Sequence, residues 1–368
     1  MKHLVMLGAG HAHVHMLSTL ASKPLAGVQI TLITPYPRQM YSGMMPGFVA
    51  GHYALEDCVI PLAPLLKDTR ITWLQRSAAE LDASARMIKL DDGSTVAYDV
   101  LSINSGPVQD RQRIETMMPG AREHALFVRP VEIFGTLWHQ VVTLAQKGPL
   151  RLAVIGGGAA GFELACAVAH RLPGSPVTLI SGDAPVASNY PATIQAKVSQ
   201  ALKARHVTVI QERCASIVMG ELTLANGTRL ACDLAVVAIG AQAPSWLQDS
   251  GLTLDNRGFV AVNAMQQSTS HPNVFAAGDA ATRIDLALPR SGVYAVRAGL
   301  PLNKNLRAYL GGISPNPYMP QNKTLNLLSC GDRCAIGSWG TWSAQGRWVW
   351  WIKDWIDRRF IRKYSKNH

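Results

Sequence analysis

The sequence predicts an α/β protein made of two Rossmann-like units and a C-terminal amphipathic helix. Three observations predict it. Arg151 opens RLAVIGGGAAGFELACAVAHRL, in which a β-prone apolar run, a glycine turn and an Ala-rich helix follow one another. The same order stands at the N-terminus in HLVMLGAGHAHVHMLSTL, residues 3–20. Each copy is followed by a second apolar strand, then a hairpin, then a strand that ends in small residues. The pattern is an internal duplication.

The mid-chain copy follows the G-x-G-x-x-G spacing with Gly156, Gly158 and Gly161. In that pattern the first glycine permits the turn and the second lets the backbone approach a pyrophosphate. The third brings the helix against the strand. The helix N-terminus adds free N–H groups and a partial positive charge. Leu152–Ile155 and Val177–Ile180 are the expected strands, and Phe162–Ala169 the helix. This points to a nicotinamide-dinucleotide site.

The N-terminal copy has Gly8 and Gly10, but His13 stands at the third position. Either the helix–strand contact is looser here or the imidazole packs over a ligand. His11, His13 and His15 alternate, yet only His11 and His15 share a helix face. No Cys or carboxylate cluster lies near them, so no metal site is expected. His11, at the helix start, is expected near phosphate. The strand Val28–Ile33 ends in Thr34 where an acid would ordinarily bind the adenine ribose.

Between the glycine units lie a Pro-, Gly- and Met-rich loop (PYPRQMYSGMMPGFVAGHY) and a small β pattern over residues 70–100 that begins with ITWLQ. The DDG at residues 91–93 and Asn226-Gly227 read as hairpin turns. A helix before Pro149 shows core spacing at Ile133, Leu137, Val141 and Leu144. Late in the chain HPNVFAAGDAAT reads as a strand closed by Gly278-Asp279.

The length of 368 residues suits two domains, or one inserted in another. With 48% hydrophobic and 16% charged residues a large core is available and disorder is excluded. No apolar run is long enough to span a bilayer, and a secretory signal is not expected. Six scattered cysteines fit a reducing compartment. A net charge of +11 favours anionic neighbours. Nucleic acid is not expected, because no recognition module accompanies the charge.

The C-terminal stretch RWVWWIKDWIDRRFIRKY, residues 347–364, carries four of the nine tryptophans. At helical spacing Trp348, Ile352, Trp355, Ile356 and Phe360 cluster on one side, with Lys353, Asp354 and Asp357 facing away. Trp350 and Ile361 fall on the polar side. A basic, Trp-rich amphipathic helix reads as lying in a membrane interface. A helix docked on the protein's own core or on a second copy is the competing reading.

Taken in order, GAGHAH, GGGAAGFE, the AIGA strand end at Ala238–Ala241 and NVFAAGDAA resemble the flavoproteins with two dinucleotide-binding domains. Within that group the chain resembles the type II NADH:quinone and sulfide:quinone oxidoreductases. YSGMMPGFVAGHY and LPRSGVYAVRAGLPLNKNLRAYL resemble the flavoproteins associated with selenide, water dikinase. The resemblance implies an FAD-binding domain from residues 1–110 and 245–325, and an NAD(P)H-binding domain at 111–244. A membrane-interface segment follows at 326–368. It implies FAD at Gly8, Gly10, His11, Thr34, Ser105, Gly106, Gly278 and Asp279. NAD(P)H is implied at Gly156, Gly158, Gly161, Ser181 and Gly240, with Glu163 near the hydride-transfer site.

The implied activity passes electrons from NAD(P)H to a membrane quinone, on the cytoplasmic inner face of a membrane, with a homodimer possible. Two alternatives stay open. One is a sulfide- or selenium-compound:quinone oxidoreductase using Cys330 and Cys334. The other is a non-catalytic flavin redox sensor. The second nucleotide strand ends in Ser181-Gly182-Asp183, with no obvious Arg for a 2′-phosphate, so NADH and NADPH are not distinguished.

Overall fold

The computed structural model describes residues 1–365. The last three residues of the 326–368 segment lie outside the described residues. Two five-stranded parallel sheets dominate. The first runs Val274–Ala276, Val100–Ile103, Lys2–Leu7, Val28–Ile33, Ile71–Leu74. The second runs Ala125–Phe127, Leu234–Val237, Leu152–Ile155, Val177–Ile180, Thr208–Ile210.

In both sheets the strand leading into the glycine turn is central. On one side lies the strand that ends in small residues, on the other the second strand of the unit. The chain's β-prone apolar runs are buried, as parallel sheets covered on both faces require. Each unit also carries a three-stranded antiparallel sheet, at 78–97 and 214–231. Their first strands are bulged at matching places, Ala78/Glu80 and Cys214/Ser216. The duplication read from the sequence thus extends to a local irregularity.

Six helices have twelve or more residues among those described: α1 (His11–Ser22), α2 (Val131–Ala145), α3 (Ala159–Arg171), α4 (Ala192–Ala204), α5 (Gly292–Leu310) and α6 (Arg347–Ser365). Helices α1 and α5 pack together on the first sheet, where Gly299 sits against the Ala12 carbonyl. A third antiparallel sheet, Leu325–Ser329, Ala335–Trp339 and Trp342–Gly346, leads into α6.

Two expectations are corrected. Ile71–Leu74 is the edge strand of the first parallel sheet and no part of the small β pattern. The run is a strand, as its β-prone residues imply, but the sheet it joins is set by its pairing with Val28–Ile33. In α2 the buried stripe is Phe134, Trp138 and Val141, whereas Ile133 and Leu144 are exposed. Both stripes have helical spacing. The larger aromatic area of Phe134 and Trp138 decides which faces the core.

Helix α6 answers the docking question in part. Val349, Trp350, Lys353, Asp357, Phe360, Ile361 and Tyr364 are buried against the rest of the chain. Trp348, Trp351, Ile352 and Trp355 are exposed. Phe360, expected on the outward apolar side, instead stacks on Tyr41 with ring centroids 4.4 Å apart. Lys353 and Asp357, expected to face away, point inward. An apolarity plot misassigns these faces because a paired Lys and Asp can sit inside. No described helix is long and apolar enough to cross a membrane.

Candidate functional site

The two glycine turns open into two cavities. The first, of about 460 Å³, is lined by Gly8, Gly10, His11, Thr34, Ser105, Gly106 and Asp279. The second, of about 1190 Å³, is lined by Gly156, Gly158, Glu163, Ser181, Gly240 and again Asp279. Ser42, Gln109, Arg129 and Val131 also border both. The cavities therefore abut at one place. Gly278 borders a third cavity of about 610 Å³, which reaches Asp279 from the side of Arg290 and Tyr294.

Gly161 lines none of these. It lies behind the turn, where a Cβ would stand 1.8 Å from the Gly156 carbonyl oxygen. The first unit solves the same contact differently. His13 is fully buried, with Nδ1 2.5 Å from the Gly8 oxygen and Nε2 2.7 Å from Ser102 Oγ. A carbonyl can only accept, so Nδ1 carries the proton and Nε2 accepts from the serine. Burial, partly opposed by the Gly8 bond, lowers its pKa to about 4. His13 thus fills the helix–strand space and does not pack over a ligand.

Asn104, just past the strand Val100–Ile103, is a site residue that the motifs do not single out. Its Oδ1 accepts the N–H groups of Ala12 at 3.0 Å and His13 at 3.2 Å. Its Nδ2 donates to the Ala277 oxygen at 2.7 Å. One amide thereby ties the start of α1 to the Gly278-Asp279 turn. The available signal was an amide ending a buried strand beside two glycine motifs.

The first cavity's chemistry suits an anionic, partly aromatic ligand. Both α1 and α3 begin after a glycine N-cap that offers no side chain to the helix N–H groups. Arg129 and Arg76, the latter ion-paired with Asp92, are among the residues of the wall. His11 Nε2 is buried with no hydrogen-bond partner. Burial, then Arg129, lowers the His11 pKa to about 4, so it stands neutral beside the helix start. Burial raises Asp279, against the pull of Arg129 and Arg290.

In the second cavity Glu163 Oε1 accepts the N–H of Ser329 at 2.7 Å. Burial raises its pKa to about 7, although Lys353 and the Ser329 N–H oppose the shift. Lys353 Nζ in turn donates to the Gly43 oxygen and to Asp357, both at 2.6 Å. A carboxyl poised near neutrality thus faces a cavity and contacts α6 through charge.

At the Ser181 end the structure supplies an arginine that linear spacing did not show. Arg213, just past the strand Thr208–Ile210, lines the same cavity and binds Asp183 with Nε 2.7 Å from Oδ2. Cys330 and Cys334 line none of the three cavities. Among the described residues no cluster of His, Cys, Asp and Glu could hold a metal.

The family described as pyridine nucleotide-disulphide oxidoreductase matches residues 2–297. An NADH dehydrogenase-like protein of Mycobacterium tuberculosis is 29% identical over 247 residues, covering 63% of this chain and 60% of that relative. The match thus spans less than two thirds of the relative's own length. Among solved structures, the sulfide:quinone oxidoreductase of Aquifex aeolicus superposes with a TM-score of 0.81 at 19% identity, over 100% of this chain and 92% of that one. NDH2 from Plasmodium falciparum, solved with NADH, gives 0.81 at 13% identity, over 99% and 97%. At these identities the structural likeness carries the fold.

Proposed function

The chain belongs to the pyridine nucleotide-disulphide oxidoreductase family, and from that premise we propose that it takes a hydride from NAD(P)H and passes electrons, through FAD, to a quinone at a membrane surface. One observation carries the reading: the cavities of the two glycine turns abut at Ser42, Arg129 and Asp279, with Glu163 in the wall of the second.

The residues present fit the cofactor. Gly8, Gly10 and the start of α1, where Asn104 already takes the Ala12 and His13 N–H groups, would hold the pyrophosphate, with Arg129 close by. Thr34 and Arg76 border the end where a ribose and adenine would lie. Ser105 and Gly106 border the first cavity, Gly278 the third, and Asp279 all three. Bound FAD would supply two-electron chemistry between a nicotinamide and a second acceptor. Gly156, Gly158, Ser181 and Gly240 would hold NAD(P)H, with Gly161 keeping α3 close beneath it. Glu163, near neutrality, would hold or release a proton beside the reacting groups. Lys353 and Asp357 keep that carboxyl in a charged surrounding and tie it to α6.

The outward face of the C-terminal segment supports the membrane surface. Trp348, Trp351, Ile352 and Trp355 form an exposed apolar row. The hairpin before them adds exposed Trp339 and Trp342, and the Trp342 and Trp348 rings lie 6.1 Å apart. Indole rings favour the headgroup level of a bilayer. Arg359, which lies 5.1 Å over the Trp355 ring, Arg362 and Lys363 flank the row. Each basic group near anionic lipid adds about 1 kcal/mol.

The test is anaerobic reduction of the FAD-loaded protein by NADH and by NADPH, then reoxidation by a panel of quinones. Fast bleaching followed by quinone-dependent recovery of colour is expected. A protein that binds flavin but is not bleached by either nucleotide would fit a redox sensor instead. Cosedimentation with anionic vesicles should fall sharply in a Trp351→Ser/Trp355→Ser variant; equal partitioning would defeat the membrane assignment.

A further inference from the structure

Cys330 and Cys334 flank the turn Gly331-Asp332-Arg333 between the strands Leu325–Ser329 and Ala335–Trp339. The ladder's final rung pairs Ser329 with Ala335, and the Cys330 N–H donates to the Cys334 oxygen at 2.8 Å. Facing residues in such a ladder have Cα atoms about 5 Å apart, inside the range that a disulfide accepts. Both cysteines are free thiols, in side-chain contact with each other. Cys330 is fully buried; Cys334 is partly exposed.

The surroundings are asymmetric as well. The Arg205 guanidinium reaches the turn from α4 and is ion-paired with Asp332. The hydrogen bond from Cys330, together with Arg205 and the Gly346 backbone, outweighs burial and Asp332 and lowers the Cys334 thiol. The Cys330 thiol is raised, first by that same contact and then by burial. Exchange chemistry needs this division, an accessible thiolate to attack and a neighbouring thiol to resolve.

The turn is also pressed against the helix that carries Glu163. Gly331, at φ +91°, lies so close to α3 that a Cβ would stand 2.3 Å from the Cys166 oxygen. His52 Nε2 holds the Gly331 oxygen from the other side at 2.6 Å. Ser329, adjacent to Cys330, donates the N–H that Glu163 accepts.

We propose that Cys334 and Cys330 form a thiol–disulfide exchange site for small-molecule disulfides, and that its oxidation state is read at Glu163 through Ser329. The Cys334 thiolate attacks one sulfur of the disulfide; that S–S bond breaks, and one small thiolate leaves. Cys330 loses its proton and its sulfur displaces the second small thiolate from Cys334. The protein dithiol is oxidised by two electrons, and the small disulfide is reduced to two thiols. Closing the bond draws the sulfurs from hydrogen-bond contact to about 2.05 Å. Gly331 has no slack against α3, so Ser329 moves and the bond to Glu163 changes. The exchange stands independently of the proposed activity; its readout at Glu163 rests on that activity.

The experiment treats the reduced, FAD-loaded full chain with oxidised glutathione without NAD(P)H, followed by intact mass and peptide mapping. The wild type should lose two hydrogens and link Cys330 to Cys334. Cys330→Ser, with Cys330→Ala as a second form, should hold one glutathione on Cys334, and Cys334→Ser should hold none. Retention of both thiols in the folded wild type overturns the exchange site. So does an adduct on another cysteine, or a link to Cys166. For the readout, the oxidised and reduced proteins should differ in the pH profile of reduction by NADH. If the disulfide forms and the profiles coincide, the readout is overturned and the exchange stands. If neither form is reduced by NADH or NADPH, the proposed activity has failed instead.

Discussion

Lys353 Nζ lies 2.6 Å from Asp357 Oδ2, one helical turn along, on the face of α6 turned into the protein. Both side chains are nearly inaccessible to solvent, at 10% and 6% exposed. Burial works against the Lys353 charge, but Asp357 and Glu163 more than offset it and its pKa is raised. Removing one partner leaves the other charge buried and unpaired, at a cost of about 3–5 kcal/mol. Lys353→Met should therefore lower the denaturant midpoint strongly. Lys353→Met/Asp357→Leu should recover much of the loss, because a paired charge can be replaced by apolar groups of similar size. Equal losses in the single and double variants would count against this.

The histidine that replaces the third motif glycine makes stability depend on pH. His13 and His11 are held neutral, with folded pKa values of about 4 against 6.5 unfolded. Between those values the unfolded chain binds more protons. Their contribution is complete above pH 6.5 and is lost as pH falls towards 4. Each shift corresponds to about 3 kcal/mol at most. Unfolding at pH 7 and pH 5 should show a clear drop, reduced in His13→Gln. His13→Gly, which restores the motif, should destabilise at every pH, since the Gly8 oxygen and Ser102 lose their partner.

Glu163 has the opposite sign. Its folded pKa, about 7, stands above the ordinary 4.5, so the folded state binds its proton more tightly. That contribution is complete below pH 4.5 and is lost as pH rises through 7. Glu163→Gln should consequently gain stability relative to wild type at pH 8, by about 2–3 kcal/mol. If Glu163 serves hydride transfer, the wild-type rate of reduction by NADH should inflect near pH 7, and the glutamine variant should lose that inflection. Parallel profiles would separate Glu163 from the reaction.

The strands beside the glycine motifs were legible because local chemistry fixes them. Val28–Ile33, Leu152–Ile155 and Val177–Ile180 form with the bounds that their apolar runs imply. What stayed hidden depends on tertiary partners. Asn104 is an unremarkable polar residue until Ala12, His13 and Ala277 surround it. The inward face of α6 could not be read from polarity, because Lys353 finds Asp357 and Gly43 inside. The meeting of the cavities at Ser42, Arg129 and Asp279 joins residues that are far apart in the sequence. Periodicity carries no information on such a meeting.

Arg213 is a further residue of this kind, and it bears on which nucleotide is used. It stands beyond the edge strand Thr208–Ile210, yet its guanidinium reaches Asp183, just past Val177–Ile180. Both side chains are exposed, 70% and 60% respectively, and Arg213 lines the cavity. A 2′-phosphate arriving there would meet an arginine already held by a carboxylate and would be repelled by that carboxylate. An adenosine ribose hydroxyl could instead donate to Asp183. The pair therefore predicts a preference for NADH. Asp183→Ala should free the guanidinium for bidentate contact with phosphate and raise kcat/KM for NADPH relative to NADH by about tenfold. Asp183→Ala/Arg213→Ala should cancel most of that gain. Stopped-flow reduction with both nucleotides reads the ratio directly. A ratio unchanged by Asp183→Ala would place the adenosine end elsewhere along the cavity.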